Sequence, residues 1–190
     1  MTTETSDQQD VVDVLSSDHR EFLALVTEIR SSADPETRRE LADTLIAELV
    51  RHAVAEEMWV YPAMKEHLPD GEEKVEHDTQ EHKELEVLMK QLESSEPADA
   101  EFVALVGRME DVLRDHIADE ERDQFPELRL RIPRADLVTM AERVEKAKKV
   151  APTRPHPAAP NSELFHKTVG PGAGMVDRLR DKLFGRPLGD

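Results

Sequence analysis

Two stretches decide the fold. Residues 52–62 read HAVAEEMWVYP and residues 116–126 read HIADEERDQFP. Both have the form H-x3-E-E-x3-aromatic-P, and they lie 64 residues apart. A second echo accompanies them. Asp18-His19-Arg20-Glu21 resembles Glu81-His82-Lys83-Glu84, 63 residues further on. A repeat at this distance reads as one supersecondary unit used twice. Each unit brings one lone histidine and one His-x3-Glu.

The surroundings of these stretches have helical spacing. Leu15, His19, Phe22, Val26 and Ile29 form one stripe, and Leu41, Leu45, Leu49, His52, Glu56 and Val60 a second. Val75, Asp78, His82, Leu85, Met89 and Leu92 form a third, and Phe102, Leu105, Met109, Leu113, His116 and Glu120 a fourth. Recurrence at three and four residues marks the buried face of a helix. The spacing predicts helices over about 11–30, from Pro35 to about Pro62 or slightly beyond, 72–93 and 98–129, with a shorter fifth over 134–149. Asp34 is suited to cap the second helix and Pro35 to open it. No segment alternates with period 2, so no sheet is expected. Short connections favour antiparallel neighbours, and two helical hairpins give an all-α, antiparallel up-down four-helix bundle.

Composition agrees and narrows the function. The chain has 190 residues and a formal charge of −17. A body this acidic repels nucleic-acid phosphates and anionic membrane surfaces. No run of about 18 apolar residues is present to span a bilayer. Cysteine is absent, which removes disulfides, thiolate metal sites and cysteine nucleophiles. The polar, acidic N-terminus lacks the pattern of a secretory signal, so a cytoplasmic location is expected. From Ala151 the composition changes to APTRPHPAAPN and then VGPGAGM, with more basic than acidic residues. This divides the chain into a bundle, 1–149, and a Pro/Gly-rich tail, 150–190. Met175–Phe184 is expected to form a short amphipathic helix in that tail, docking on its own bundle or on a protein partner.

The helix stripes hold a physical anomaly. A buried carboxylate costs several kcal/mol unless it is neutralised. Glu56 and Glu120 lie on core stripes that carry no Lys or Arg. A metal cation would compensate. His and Glu one turn apart share a face and can reach one centre. His19, His52, Glu56, His82, His116 and Glu120 are the candidate ligands. Four imidazoles and two carboxylates suit iron or manganese, and less well zinc, which usually takes four ligands. Glu57 and Glu121 lie about 100° further round their helices, where they suit solvent or the outer nitrogen of a ligand histidine. Tyr61 and Phe125 are read as packing at helix ends, with the Tyr61 hydroxyl as an alternative neighbour for bound oxygen species.

At these residues the chain resembles the hemerythrin-like family, the HHE cation-binding domain, over about residues 10–130. The resemblance implies a non-haem di-iron centre in a four-helix bundle, held by His19, His52, Glu56, His82, His116 and Glu120. The tail PGAGMVDRLRDKL is similar to that of actinobacterial proteins of the family. Oxygen carriers of the family have a fifth histidine ligand, one turn from another on the third helix. Here that position holds Asp78. The candidate fifth histidine is His77, five residues before His82 and about 140° away round the helix, so it points off the stripe. His77 as a further ligand, and Asp78 as a ligand or as a group supporting one, stay open as lesser alternatives. This departure points away from simple oxygen carriage. The implied ligands are O2, H2O2 or NO. Three classes stay open: an enzyme turning over peroxide or oxygen, a module that senses or stores O2, NO or iron, and a protein whose metal only holds the fold. The ferritin-like alternative needs paired Glu-x-x-His, and the chain has a single one, Glu163 to His166.

Overall fold

The computed structural model describes residues 8–153. Helix α1 spans Val11–Ser31, α2 Pro35–Ala55 and α3 Tyr61–His67. Helix α4 spans Gly71–Ser94, α5 Ala100–Asp119, α6 Phe125–Arg131 and α7 Arg134–Val150. Single π-helical turns, Glu56–Val60 and Glu120–Gln124, join α2 to α3 and α5 to α6. Among the described residues there is no strand. The tail, with the expected helix at Met175–Phe184, lies outside the described residues.

Local chemistry fixes the helix ends. Asp10 caps α1 in a reciprocal capping box with Asp13, which satisfies two otherwise unpaired backbone donors. Asp34 accepts from the Thr37 amide at 2.8 Å while Pro35 opens α2, as its sequence predicts. Between α3 and α4 the turn is tight. Asp70 has φ 55°, and a side chain on Gly71 would meet the Met64 carbonyl oxygen at 2.1 Å. Only glycine fits there.

Helices α1 and α2 pair, as do α4 and α5, and α1 also packs on α5 and α2 on α4. This closes the ring of a four-helix bundle built from two hairpins. Helix α7 lies outside the ring against α1 and α2. The core falls into two apolar clusters. One gathers Val11, Leu15, Met58, Phe125 and α7 residues such as Val144. The other gathers Phe22, Leu45, Leu92, Phe102 and Met109. Where the two clusters meet, the bundle interior is polar.

The π turns correct the expected outline. The second helix runs on past Pro62 to His67 and the fourth reaches Arg131, but neither is the unbroken α-helix that the spacing predicts. They widen by one residue and continue as α3 and α6. The backbone amides of Tyr61 and Phe125 donate five residues back, to the carbonyls of Glu56 and Glu120. Proline is the local reason. Pro62 and Pro126 have no amide hydrogen, and in an unbroken α-helix the ring would collide with the carbonyl four residues earlier. A π turn relieves that collision, and such turns are frequent at functional sites.

Candidate metal centre

The six candidate ligands converge from four directions. His19 comes from α1, His52 from α2, His82 from α4 and His116 from α5, while Glu56 and Glu120 open the two π turns. All are buried, and both glutamates are fully so at 0% exposure. His19, His52, Glu56 and Glu120 present ligand atoms within 4.8 Å of one another, as do Glu56, His82 and His116. Each glutamate stands between two histidines. Glu56 lies 3.2 Å from His52 Nε2 and 3.4 Å from His82 Nε2. Glu120 lies 3.2 Å from His19 Nε2 and 3.5 Å from His116 Nε2.

The outer nitrogens are held from behind. His52 Nδ1 donates to Asp18 at 3.0 Å, His116 Nδ1 to Glu81 at 2.9 Å and His19 Nδ1 to Glu121 at 2.9 Å. A carboxylate can only accept, so Nδ1 carries the proton, and in a neutral ring Nε2 then offers its lone pair inward. The fourth ring, His82, lies against Tyr61, whose hydroxyl is 3.2 Å from both ring nitrogens. Glu57 stands 3.6 Å from His82 Nδ1. The Tyr61 ring stacks on His82 with centroids 5.5 Å apart, and Phe125 stacks on His19 at 5.7 Å. Tyr61 and Phe125 therefore pack in the apolar core, as read from the sequence, and also form walls of the centre. The π turn brings each round to the inner face.

The arrangement has an approximate two-fold relation that follows the sequence repeat. Asp18 holds His52 as Glu81 holds His116. Glu121 holds His19 across the hairpins, and Glu57 faces His82 in the same way. The halves differ in their surroundings. Asp18 also accepts from Lys148 of α7 at 2.7 and 2.8 Å. In the second half, the buried pair Asp78 and Gln124 stands where the first half has Leu15 and Val60. Gln124 donates to Asp78 at 3.0 Å.

A metal fits these residues on their own chemistry. His19 Nε2, His52 Nε2, His116 Nε2 and both carboxylate oxygens of Glu56 and Glu120 are buried without a hydrogen-bond partner among the described residues. Seven such atoms in one place are too many to leave uncompensated, since each costs about 1–3 kcal/mol or more. The electrostatics agree. Burial alone would lower the histidine pKa values. Facing Glu56 and its neighbours instead raises His52 to about 9 and His82 to about 10. Burial alone would raise Glu56, yet His52 and His82 hold it well below the usual carboxylate range. The site favours positive charge, and a metal ion supplies it more fully than protons do. Asp78 is pushed up to about 7 by burial, with the charges of Glu120 and Glu56 adding to it. The Tyr61 phenol is held well above its usual range by burial, Glu56 and Glu120, so it is a hydrogen donor near neutrality.

Two further histidines do not join the centre. His77 is exposed and faces Glu81 and Asp119, and His67 is exposed at the end of α3. Sequence reading missed Asp18, Glu81 and Lys148. The acid that precedes each lone histidine in the repeat was the available signal for the first two. Lys148 gave none, because its role depends on where α7 packs.

Comparison with known proteins agrees with this geometry. The Hemerythrin HHE cation binding domain matches residues 10–128. An uncharacterised hemerythrin-like protein of Schizosaccharomyces pombe is 30% identical over 174 residues, covering 91% of this chain and 86% of that protein. A DNA nickase of Nostoc is 32% identical over 129 residues, which are 67% of this chain but only 36% of that longer protein. The crystal structure of a Hemerythrin HHE cation binding domain-containing protein from Mycobacterium kansasii superposes with a TM-score of 0.63 at 22% identity. It covers 90% of this chain and 99% of that one, and shows the same fold. The chain belongs to the Hemerythrin HHE cation binding domain family. It is thus a helical-bundle protein with a cation-binding domain, and no helix among its described residues is long and apolar enough to cross a membrane.

Proposed function

We propose that this chain is a non-haem di-iron protein whose centre reacts with hydrogen peroxide or dioxygen, with His19, His52, Glu56, His82, His116 and Glu120 as the ligands. One observation carries the reading: seven unpaired ligand atoms converge in the bundle, and three of the four histidines are fixed from behind by carboxylates. Iron bound there would supply redox chemistry toward peroxide or dioxygen. The chain's own residues prepare the site for it. Asp18, Glu81 and Glu121 set the tautomer and the aim of His52, His116 and His19. Glu56 and Glu120, each between two histidines from different helices, would hold the metal together with those histidines. Tyr61 fixes His82 and brings a hydroxyl to the edge of the centre. Leu49, Leu85, Met89 and Leu113 close the other side and keep bulk water out.

A second reading, binding of O2 or NO without turnover, draws on the space beside the histidines. A cavity of about 20 Å³ lies between His52, His82, His116 and those apolar side chains. That is room for about one water-sized molecule. The acidic charge argues against a nucleic-acid partner, and the nicking activity named for the Nostoc protein is not carried over.

Oxygen evolution from peroxide by the iron-loaded chain tests the choice. Sustained turnover that is lost with Glu56→Ala and Glu120→Ala supports the enzyme. A stable spectral change on adding O2 or NO, without turnover, supports the binding module.

A further inference from the structure

We propose that His77, Glu81 and Asp119 form a second cation site, on the surface of the bundle, that captures a divalent metal ion bound for the interior. The proposal rests on the interior being a metal centre. His77 and Glu81 are one turn apart on α4, the same His-x3-Glu spacing as the interior pairs, and Asp119 faces them from α5. His77 Nε2 lies 3.4 Å from Glu81 Oε1 and 3.5 Å from Asp119 Oδ2. One ligand atom from each residue falls within 4.8 Å of the other two. One imidazole and two carboxylates suit Fe²⁺, Mn²⁺ or Zn²⁺, with solvent completing the coordination.

The two halves of the molecule explain why a cation belongs here. In the first half, the carboxylate behind a ligand histidine, Asp18, is neutralised by the Lys148 ammonium. Its counterpart Glu81 stands behind His116, and among the described residues no Lys or Arg reaches it. Helix α7 covers only the α1–α2 side. In place of a lysine, the second half presents His77 and Asp119, where the first half has Val14 and Ala55. Arg122 occupies Asp119 Oδ1 and leaves Oδ2 for the cluster. A metal ion at this point would stand to Glu81 as Lys148 stands to Asp18.

The same carboxylate connects the surface to the interior. Glu81 turns one oxygen to His77 and the other to His116 Nδ1. Behind it, Asp78 is wholly buried, and its Oδ2 has no hydrogen-bond partner. Asp78, Glu81 and His116 also bring ligand atoms within 4.8 Å of one another. The clusters overlap: Glu81 belongs to the surface group and to the one with Asp78 and His116, and His116 belongs in turn to the interior group with Glu56 and His82. An ion moving inward would exchange one carboxylate for the next.

The test uses Mn²⁺ as the probe on the full chain, after the interior has been loaded with iron and unbound metal removed. Paramagnetic resonance counts the bound ion. One further Mn²⁺ per chain is expected. His77→Ala combined with Asp119→Asn should weaken it at least about tenfold, with unchanged iron content and melting temperature, and Glu81 is left intact because it holds His116. Iron uptake by the metal-free chain should slow about fivefold or more in that variant and still reach the same final content. No further Mn²⁺ in the unaltered chain, or equal affinity in the variant, would overturn the site. Equal uptake rates would overturn its role in capture. A chain that takes up no iron at all would instead disprove the interior centre, and the Mn²⁺ count at the surface would still be read separately.

Discussion

Lys148 and Asp18 join the outermost helix to the middle of the bundle. The ammonium of Lys148 meets both oxygens of the Asp18 carboxylate, at 2.7 and 2.8 Å. Asp18 in turn accepts from His52 at 3.0 Å. Helix α7 is therefore part of the centre's support rather than an accessory strut. Burial alone would raise the Asp18 pKa, but His52 and Lys148 together hold it below its usual value.

Replacing Lys148 by methionine keeps the packing of the stem and removes the charge. Asp18 would then sit partly buried without its cation, at a cost of about 1–3 kcal/mol. The melting temperature should fall by several degrees, and metal affinity by about tenfold, as for other groups that orient a ligand histidine. Chelator competition and thermal melting check this. Unchanged affinity with a lowered melting temperature would make Lys148 a purely structural residue.

Stability should depend on pH in opposite ways with and without metal. In the metal-free chain, His52 and His82 are held protonated up to about 9 and about 10. An unfolded histidine titrates near 6.5. The folded form thus binds more protons between these values. The stability this confers is fully present below pH 6.5 and is lost as pH rises through 9 to 10. Between pH 6.5 and 9 the metal-free chain should lose about 5 °C or more in melting temperature. The loaded chain should not, because metal replaces those protons. Metal binding should accordingly release protons and tighten as pH rises. A metal-free melting temperature flat across this range would contradict the account.

The prolines that follow the aromatic residues are predicted to serve the centre. Pro126→Ala restores an amide hydrogen and lets the π turn close toward ordinary α geometry. Phe125 would then rotate away from His19 by about 100°, the angle of one helical residue. Metal affinity should fall about tenfold or more, while the apparent stability of the metal-free chain changes by only about 1 kcal/mol. A variant that binds metal as tightly as the unaltered chain would show that the wide turn is held by packing alone.

Much of this architecture was legible in the amino-acid sequence, for definite reasons. The core stripes are periodic, so the four bundle helices and the six converging side chains could be read from spacing. Asp34 with Pro35 marked a helix start by local chemistry. His77 faces away from the interior, as its angle on the helix predicts. What escaped reading depends on small departures from regular geometry or on distant packing. The π turns add one residue to a turn, and this carries Tyr61 and Phe125 to a face that a regular helix would not give them. Asp18 and Glu81 looked like ordinary polar residues beside a histidine, because their partners His52 and His116 lie on the neighbouring helix. Lys148 lay on a helix whose docking face no periodicity could specify.

The most direct test of the central claim is the metal content of the full chain from iron-supplied cells. It should be read together with its optical spectrum before and after peroxide. The account predicts about two irons per chain, a spectrum that responds to peroxide, and loss of both when Glu56 and Glu120 are replaced by alanine. No iron, a single tightly held zinc without spectral response, or full iron occupancy in the doubly substituted chain would contradict it.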